Sequence, residues 1–370
     1  MIPGSVKENT PPVVNVLKVK GSDKDAGPNA VISYSITAGN SMSYFVIDSQ
    51  TGTINATSSI DFEKTPSFNL TVSATDSKFT SFAQVVIDII NENDNKPSFK
   101  QANYIGSVAE NSAALTSVIT VTALDVDPFG QLTYSIESVQ PGNHSDAFIV
   151  DLATGLITTA EVLDREMIER YVITVKVIDG GEPTLTDFAT VAVNVTDLND
   201  NPPVFNTSSF KSVISEAVAI SSLVTQISAL DADSGNNARI SYRIISGNDK
   251  SAFAIAADSG VIRTNAKLDR ETVANYALTC EATDHGQPQR SSVPIIVYVT
   301  VSDENDNAPI FGQSVYVVNV TEDVASGTVV EQMHAVDIDA GRNGVIIYSI
   351  TTGNDDGSFD IGNETGKCLR

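Results

Sequence analysis

Short alternating runs of apolar and polar residues, divided by turn-forming residues, fill this chain from end to end. Phe68, Leu70, Val72 and Ala74 alternate with Asn69, Thr71 and Ser73, and equivalent runs span 171–177 and 276–282. A period of two belongs to a strand with one face buried and one face wet. The Val, Ile and Thr content suits that assignment, and no amphipathic run of helical period competes with it. In 189–196, Val191, Val193 and Val195 alternate with Ala192, Asn194 and Thr196, so Asn194 is expected to face solvent. The pattern predicts an all-β chain with about seven strands per hundred residues, hence Greek-key, seven-stranded β-sandwiches of immunoglobulin-like architecture.

The runs repeat as blocks. Asn93-Asp94-Asn95 recurs as Asn199-Asp200-Asn201 and Asn305-Asp306-Asn307, each 106 residues after the last. Aspartate pairs recur at Asp23/Asp25, Asp125/Asp127, Asp231/Asp233 and Asp337/Asp339, so a fourth copy has begun. Phe45/Gly52, Phe148/Gly155, Phe253/Gly260 and Phe359/Gly366 keep one spacing, as do Tyr34/Ile36, Tyr134/Ile136, Tyr242/Ile244 and Tyr348/Ile350. Several motifs held in one order at one period indicate tandem domains. Prolines at 97, 202, 203 and 309 follow each Asn-Asp-Asn; lacking an N–H for a ladder, they mark junctions. The expected domains are 1–95, 96–201, 202–307 and a partial 308–370.

Charge adds a partner class. With 46 acidic against 22 basic residues, the formal charge of -24 repels nucleic acid and anionic membrane and favours cations. Two cysteines in 370 residues make no disulfide scaffold. No apolar run is long enough to cross a bilayer, so a membrane anchor of the parent protein is expected outside these residues. Asn-x-Ser/Thr triplets, Asn194 among them, are candidate glycosylation sites. His144, His285 and His334 fall in three different blocks, so no His-based triad or zinc site assembles within a domain, and no enzyme or small-molecule substrate is expected.

Five strings carry a resemblance: Val-x-Glu-Asn (Val6, Glu8, Asn9), Asp-Ala-Asp (231–233), Leu-Asp-Arg-Glu (163–166 and 268–271), Ala-Thr-Asp (74–76 and 282–284) and Asp-x-Asn-Asp-Asn-x-Pro (303–309). Together they resemble cadherin extracellular repeats over the whole chain. The resemblance implies about three Ca2+ ions per complete joint between repeats, held by carboxylates, Asn side chains and backbone carbonyls as a hard cation requires. Carboxylates gathered without a counterion repel one another, by ~1 kcal/mol per close pair in water and several times more when partly desolvated.

At the first joint the resemblance implies Glu8, Asp61 and Glu63, then Asn93 and Asp94 with the carbonyls of Glu92 and Asn95, then Asp125, Asp127 and Asp179. A loop shortened to Pro128-Phe129-Gly130 leaves the Phe129 or Gly130 carbonyl to replace the family's Asn carbonyl, and Phe62 stands for the usual Arg at a position given no ligand role. The second joint matches with Glu110, Asp164, Glu166, Asn199, Asp200, Asp231, Asp233 and Asp284, and the carbonyls of Leu198, Asn201 and Asn237. The third has Glu216, Asp269, Glu271, Asn305, Asp306, Asp337 and Asp339, with carbonyls of Glu304, Asn307 and Asn343, and lacks the late-strand aspartate of 308–370. Asp23, Asp25, Asn29 and Asp76 match the receiving half of a joint to a repeat expected upstream.

These sets explain most of the charge imbalance. Cys280 and Cys368 align with apolar core positions and are expected to be unpaired thiols. With no tryptophan, the chain is more similar to a protocadherin or Fat-like long cadherin than to members that exchange a terminal Trp. The implied function is calcium-dependent cell–cell adhesion or recognition at the extracellular side of the plasma membrane, homophilic or heterophilic, with another cadherin ectodomain as partner. A purely mechanical spacer role is the alternative.

Overall fold

Alternation of side chains across an extended backbone is realised throughout the computed structural model, which describes residues 1–370. Two compact units, Met1–Thr196 and Asp197–Arg370, divide the chain. Each is described by itself.

In the first unit, residues 2–90 form seven strands: β1 Ile2–Lys7, β2 Val14–Lys18, β3 Ser33–Ala38, β4 Phe45–Ile47, β5 Thr53–Ala56, β6 Ser67–Thr75 and β7 Thr80–Ile90. One sheet has the order β1-β7-β6-β3 and the other β2-β5-β4. β1 runs parallel to β7, in the register Val6↔Ile89, while β7, β6 and β3 are antiparallel. Val6, Ile54, Leu70, Val72, Val85 and Ile87 meet in the core between the sheets. Ser73 departs from the alternation: it is buried, its hydroxyl 2.8 Å from that of Ser35 on the neighbouring strand. A small hydroxyl satisfied by its neighbour costs little to bury.

The second sandwich is built from β8 Ser98–Phe99, β9 Asn103–Ala109, β10 Ser117–Thr120, β11 Ala123–Leu124, β12 Thr133–Gln140, β13 Phe148–Val150, β14 Leu156–Thr159, β15 Arg170–Ile178 and β16 Thr186–Thr196. Its sheets are β12-β15-β16-β9, again with a parallel β9–β16 pair, and β10-β14-β13. The short pair β8–β11 adds two strands to the expected seven and lays Phe99 against Tyr104 and Tyr134. Asn194 is exposed, as its alternation predicts.

In the second unit, Ser209–Ser215, Ile295–Ser302, Asn275–Thr283 and Ser241–Ser246 form the four-stranded sheet in that order. Ile214, Ile227, Leu278, Cys280, Val297 and Val299 form its core. Cys280 is fully buried there, and burial pushes its thiol up to about 11. Residues 308–370 form two small sheets, with Ala335 buried while Val345 and Ile347 lie exposed. Cys368 is consequently only half-buried, and both thiols are unpaired.

The recurring sequence motifs have physical causes. Gly52, Gly155, Gly260 and Gly366 all have φ between +65 and +73. A Cβ at each would drive into the carbonyl oxygen of Val19, Val121, Ile227 or Met333. Only glycine is tolerated there. The Tyr hydroxyl of each Tyr-x-Ile accepts a backbone N–H: Tyr34 from Gly21 (2.8 Å), Tyr134 from Ala123 (2.9 Å), Tyr242 from Ala229 (2.9 Å) and Tyr348 from Ala335 (3.0 Å).

Each sandwich has its own core, so core damage stays local. Ile173→Ala, at a fully buried site on β15, is expected to cost about 2–5 kcal/mol in the second sandwich. Amide exchange should accelerate across β15 and β16 while β6 and β7 keep their protection; equal acceleration in both would mean the cores fold as one.

Candidate metal centres

The joint between the first two sandwiches is organised by Glu8, which lies just beyond β1 and is 1% exposed. The Glu92 N–H donates to one carboxylate oxygen (2.7 Å) and the Phe62 N–H to the other (2.8 Å), fixing its orientation. Carboxylate oxygens of Glu8, Asp61 and Glu63 lie within 4.8 Å of one another, as do those of Glu63, Asp94 and Asp127. Asp-x-Asp is a local turn in which Asp125 accepts the Asp127 N–H (3.0 Å).

The linker threads into this frame. Asn93 is buried, its amide nitrogen donating to Asp179 (3.0 Å) and the Pro183 carbonyl (2.7 Å). Asn95 donates its backbone N–H to Asp127 (2.9 Å). Asp94 accepts from the amides of Asn9 (2.5 Å) and Asn95 (2.7 Å). The Glu92 carbonyl accepts the Asp94 N–H (2.9 Å), and the Phe129 carbonyl accepts the Gly180 N–H (3.1 Å).

Two features set this joint apart from an ordinary acidic surface. Burial, the Asp127 carboxylate and the nearby Glu8 push Glu63 up to about 7. Asn93 Oδ1 and Asp125 Oδ2 are buried without a hydrogen-bond partner. Buried oxygens are rarely left so, because their desolvation goes uncompensated.

Of the set expected at the second joint, Glu110, Asp164 and Glu166 in the first unit bring carboxylate oxygens within 4.8 Å. Glu110 is fully buried and accepts the Arg165 N–H (2.9 Å), while burial and Glu110 push Glu166 up to about 7 despite its ion pair with Arg165. The other half lies in the second unit and repeats the first linker. Asn199 donates to Asp284 (3.1 Å) and the Pro288 carbonyl (2.6 Å), and Asn201 to Asp233 (2.8 Å) and Asp200 (2.6 Å). Burial raises Asp231 and Asp233, and Asn199 Oδ1 and Asp231 Oδ2 are again buried without partners. The Leu198 carbonyl accepts the Asp200 N–H (2.9 Å).

At the third joint Glu216, 2% exposed, accepts the N–H groups of Glu304 (2.8 Å) and Arg270 (2.6 Å). Asn307 donates to Asp339 (2.8 Å) and Asp306 (2.8 Å), the Asp337 carboxylate closes the turn onto Asp339 N–H (3.0 Å), and the Glu304 carbonyl accepts the Asp306 N–H (3.0 Å). Asp269 accepts the Thr272 N–H (2.8 Å), and burial raises Glu271. Asn305 is exposed, unlike Asn93 and Asn199. Near the chain's start, Asp23 accepts the Asp25 N–H (2.8 Å), Asn29 sits in the short turn Gly27–Ala30, and Asp76 accepts the Lys78 and Phe79 N–H groups (2.9 and 2.6 Å).

Sequence reading passed over five residues. Asp303 contributes an oxygen within 4.8 Å of those of Glu216 and Glu271, and accepts from Ala340 N–H (3.0 Å) and the Asn343 amide (2.9 Å). Asp197 receives Ser234 N–H (3.1 Å) and the Asn237 amide (2.8 Å) in the same way. Asn91 holds that place in the first linker, its amide donating to Glu8 (2.8 Å) and Glu63 (2.9 Å). A Cβ at Gly181 or Gly286 would collide with the Asn93 or Asn199 amide, which explains Asp-x-Gly at 179–181 and 284–286. Both signals were visible: the first Asp of the linker string, and the recurring Asp-x-Gly.

The family model of the cadherin domain matches residues 2–90, 104–196, 210–302 and 316–370. Human Protocadherin Fat 1 is 37% identical over 99% of this chain, which covers 8% of that protein. The Drosophila melanogaster protocadherin-like wing polarity protein stan is 38% identical over 98% of the chain and 10% of its own length. The chain thus spans about a tenth of these relatives. Among solved structures, the Protocadherin GammaB4 extracellular domain superposes with a TM-score of 0.80 at 29% identity, covering 100% of this chain and 60% of that one. Protocadherin gammaB7 EC3-6 gives 0.79 at 28%, covering 99% and 89%. Matched by the family model across four successive blocks, and sharing its fold with cadherin ectodomains, the chain belongs to the cadherin family.

Proposed function

We propose that these repeats are part of the calcium-dependent adhesion or recognition ectodomain of a membrane cadherin, with Ca2+ stiffening the joints. The observation that carries this reading is the pair of buried, partnerless oxygens, Asn93 Oδ1 and Asp125 Oδ2, at a joint that also gathers the Glu63, Asp94 and Asp127 carboxylates. All are hard donors of the kind that hard divalent cations take. Glu8, Asp61 and Glu63 would hold the ions from one repeat, Asn93 and Asp94 from the linker, and Asp125, Asp127 and Asp179 from the next. The equivalent sets at the other joints would do the same, with about three ions at a complete joint. The partner is another cadherin ectodomain, and no catalytic role is assigned to any residue. Beads coated with the protein should aggregate in calcium and disperse in chelator; if they never aggregate, adhesion lies in other repeats and these serve as a spacer.

Two measurements test the joint itself. Asp94→Ala should raise the calcium midpoint well above the ~10⁻⁴–10⁻³ M typical of extracellular modules, while both sandwiches stay folded. The rise in melting temperature on adding calcium should shrink accordingly; an unchanged rise would remove Asp94 from the site.

Protons should compete with calcium. Glu63 is raised from its ordinary range to about 7, so without calcium the folded joint holds its proton more tightly than the unfolded chain does. That contribution to stability is present at acid pH and is lost as pH rises towards 7. Calcium displaces the proton, so its affinity should climb between pH 5 and 7 and level off above. Titrations at three pH values will check the slope, and Glu63→Gln should flatten it.

A further inference from the structure

We propose that Arg270 and Asp303 form a calcium-independent clasp across the third joint, one that the first joint lacks and that keeps the third closed to lower calcium than its ligands alone would. The proposal rests on the reading that calcium holds the joints. Arg270, between the ligands Asp269 and Glu271, ion-pairs with Glu271 and with Asp303 at the head of the linker. Its guanidinium also donates to the Ile338 carbonyl (3.2 Å), in the loop of the following repeat. Asp303 in turn accepts Ala340 N–H (3.0 Å) and the Asn343 amide (2.9 Å) from that repeat. Burial works against the Asp303 carboxylate, but these donors and Arg270 hold it below the usual range. Arg270 and Asp303 are 17% and 14% exposed, so the network is partly sheltered from solvent and salt.

Its central pair and the loop it reaches are different at the first joint. Phe62 replaces the arginine and Asn91 the aspartate. Pro128, which has no N–H, follows Asp127 where Ala340 follows Asp339, and the loop shortened to Pro128-Phe129-Gly130 offers no counterpart of Asn343. Loss of one partner would strand the others as unpaired charges or donors; here donor, acceptor and loop are all absent. What faces across the first joint instead is Glu63 and Asp127, two carboxylates that repel until a cation lies between them.

The linkers carry their own assay. Glu92 and Glu304 occupy the same place in the first and third linkers, and Leu198 holds it in the second. A glutamate-specific protease, with cuts located by mass spectrometry, therefore reads the first and third joints in one sample. Arg270→Phe should move the calcium midpoint for cleavage after Glu304 up by about two- to fivefold, the range a partly sheltered ion-pair network provides. Cleavage after Glu92, read in the same sample, should keep its midpoint, with unchanged circular dichroism at saturating calcium. A Glu304 midpoint indifferent to Arg270→Phe, or a Glu92 midpoint that moves with it, would overturn the clasp. If calcium protects neither linker, the calcium reading itself fails. Should Arg270→Phe disturb the fold, the reverse exchange decides: Phe62→Arg with Asn91→Asp must lower the Glu92 midpoint.

Discussion

The joints of this protein are governed by repulsion between carboxylates that the backbone will not let move apart. Glu8, Glu110 and Glu216 are buried at equivalent places, and each accepts main-chain N–H groups that fix its direction. The Asp-x-Asp turns aim a second group of oxygens by the same local device. Neither set can relax by rotating into water, so the strain persists in Glu63 and Glu166, whose carboxyls hold protons to near neutrality. In the calcium reading proposed above, oxygens fixed in this way would take up an ion with little reorganisation, because their ordering cost was met when the sandwich folded.

That division of labour explains how much the sequence told. Strand periodicity disclosed the all-β fold, since the inward face of every long strand is apolar, and Leu70, Ile173 and Leu278 all lie fully buried. Period alone says which way a side chain points and nothing about what it meets. Ser73, read as outward, is buried against Ser35, and the β8–β11 pair was too short to leave a pattern. Cys368 sits at a core position by alignment, yet is half-buried because few neighbours surround it in 308–370.

At the joints the carboxylates were legible because Asp and Glu recur at fixed spacings that no turn requires. Their supports were less so. Gly181 and Gly286 matter for the side chain they lack, which leaves room for an asparagine amide from a distant linker. Asp197 and Asp303 looked like the fixed opening of a string, and only contacts reveal that they tie down the Asn237 and Asn343 loops. Such contacts join residues some forty positions apart, a relation that no local window of sequence contains.

The parallel pairing of the first long strand with the last sets how each sandwich carries load. β1 pairs with β7 from Ile2↔Val85 to Lys7↔Ile90, β9 with β16 from Asn103↔Thr190 to Ala109↔Thr196, and Ser209–Ser215 with Ile295–Ser302 alike. The chain therefore enters a sandwich at one end of this ladder and leaves at the other. Tension along the chain pulls the two strands past each other in shear, so the hydrogen bonds of the ladder resist together rather than peeling one at a time. Each sandwich is thus mechanically stiff along the chain, and under a stretching force extension is confined to the linkers.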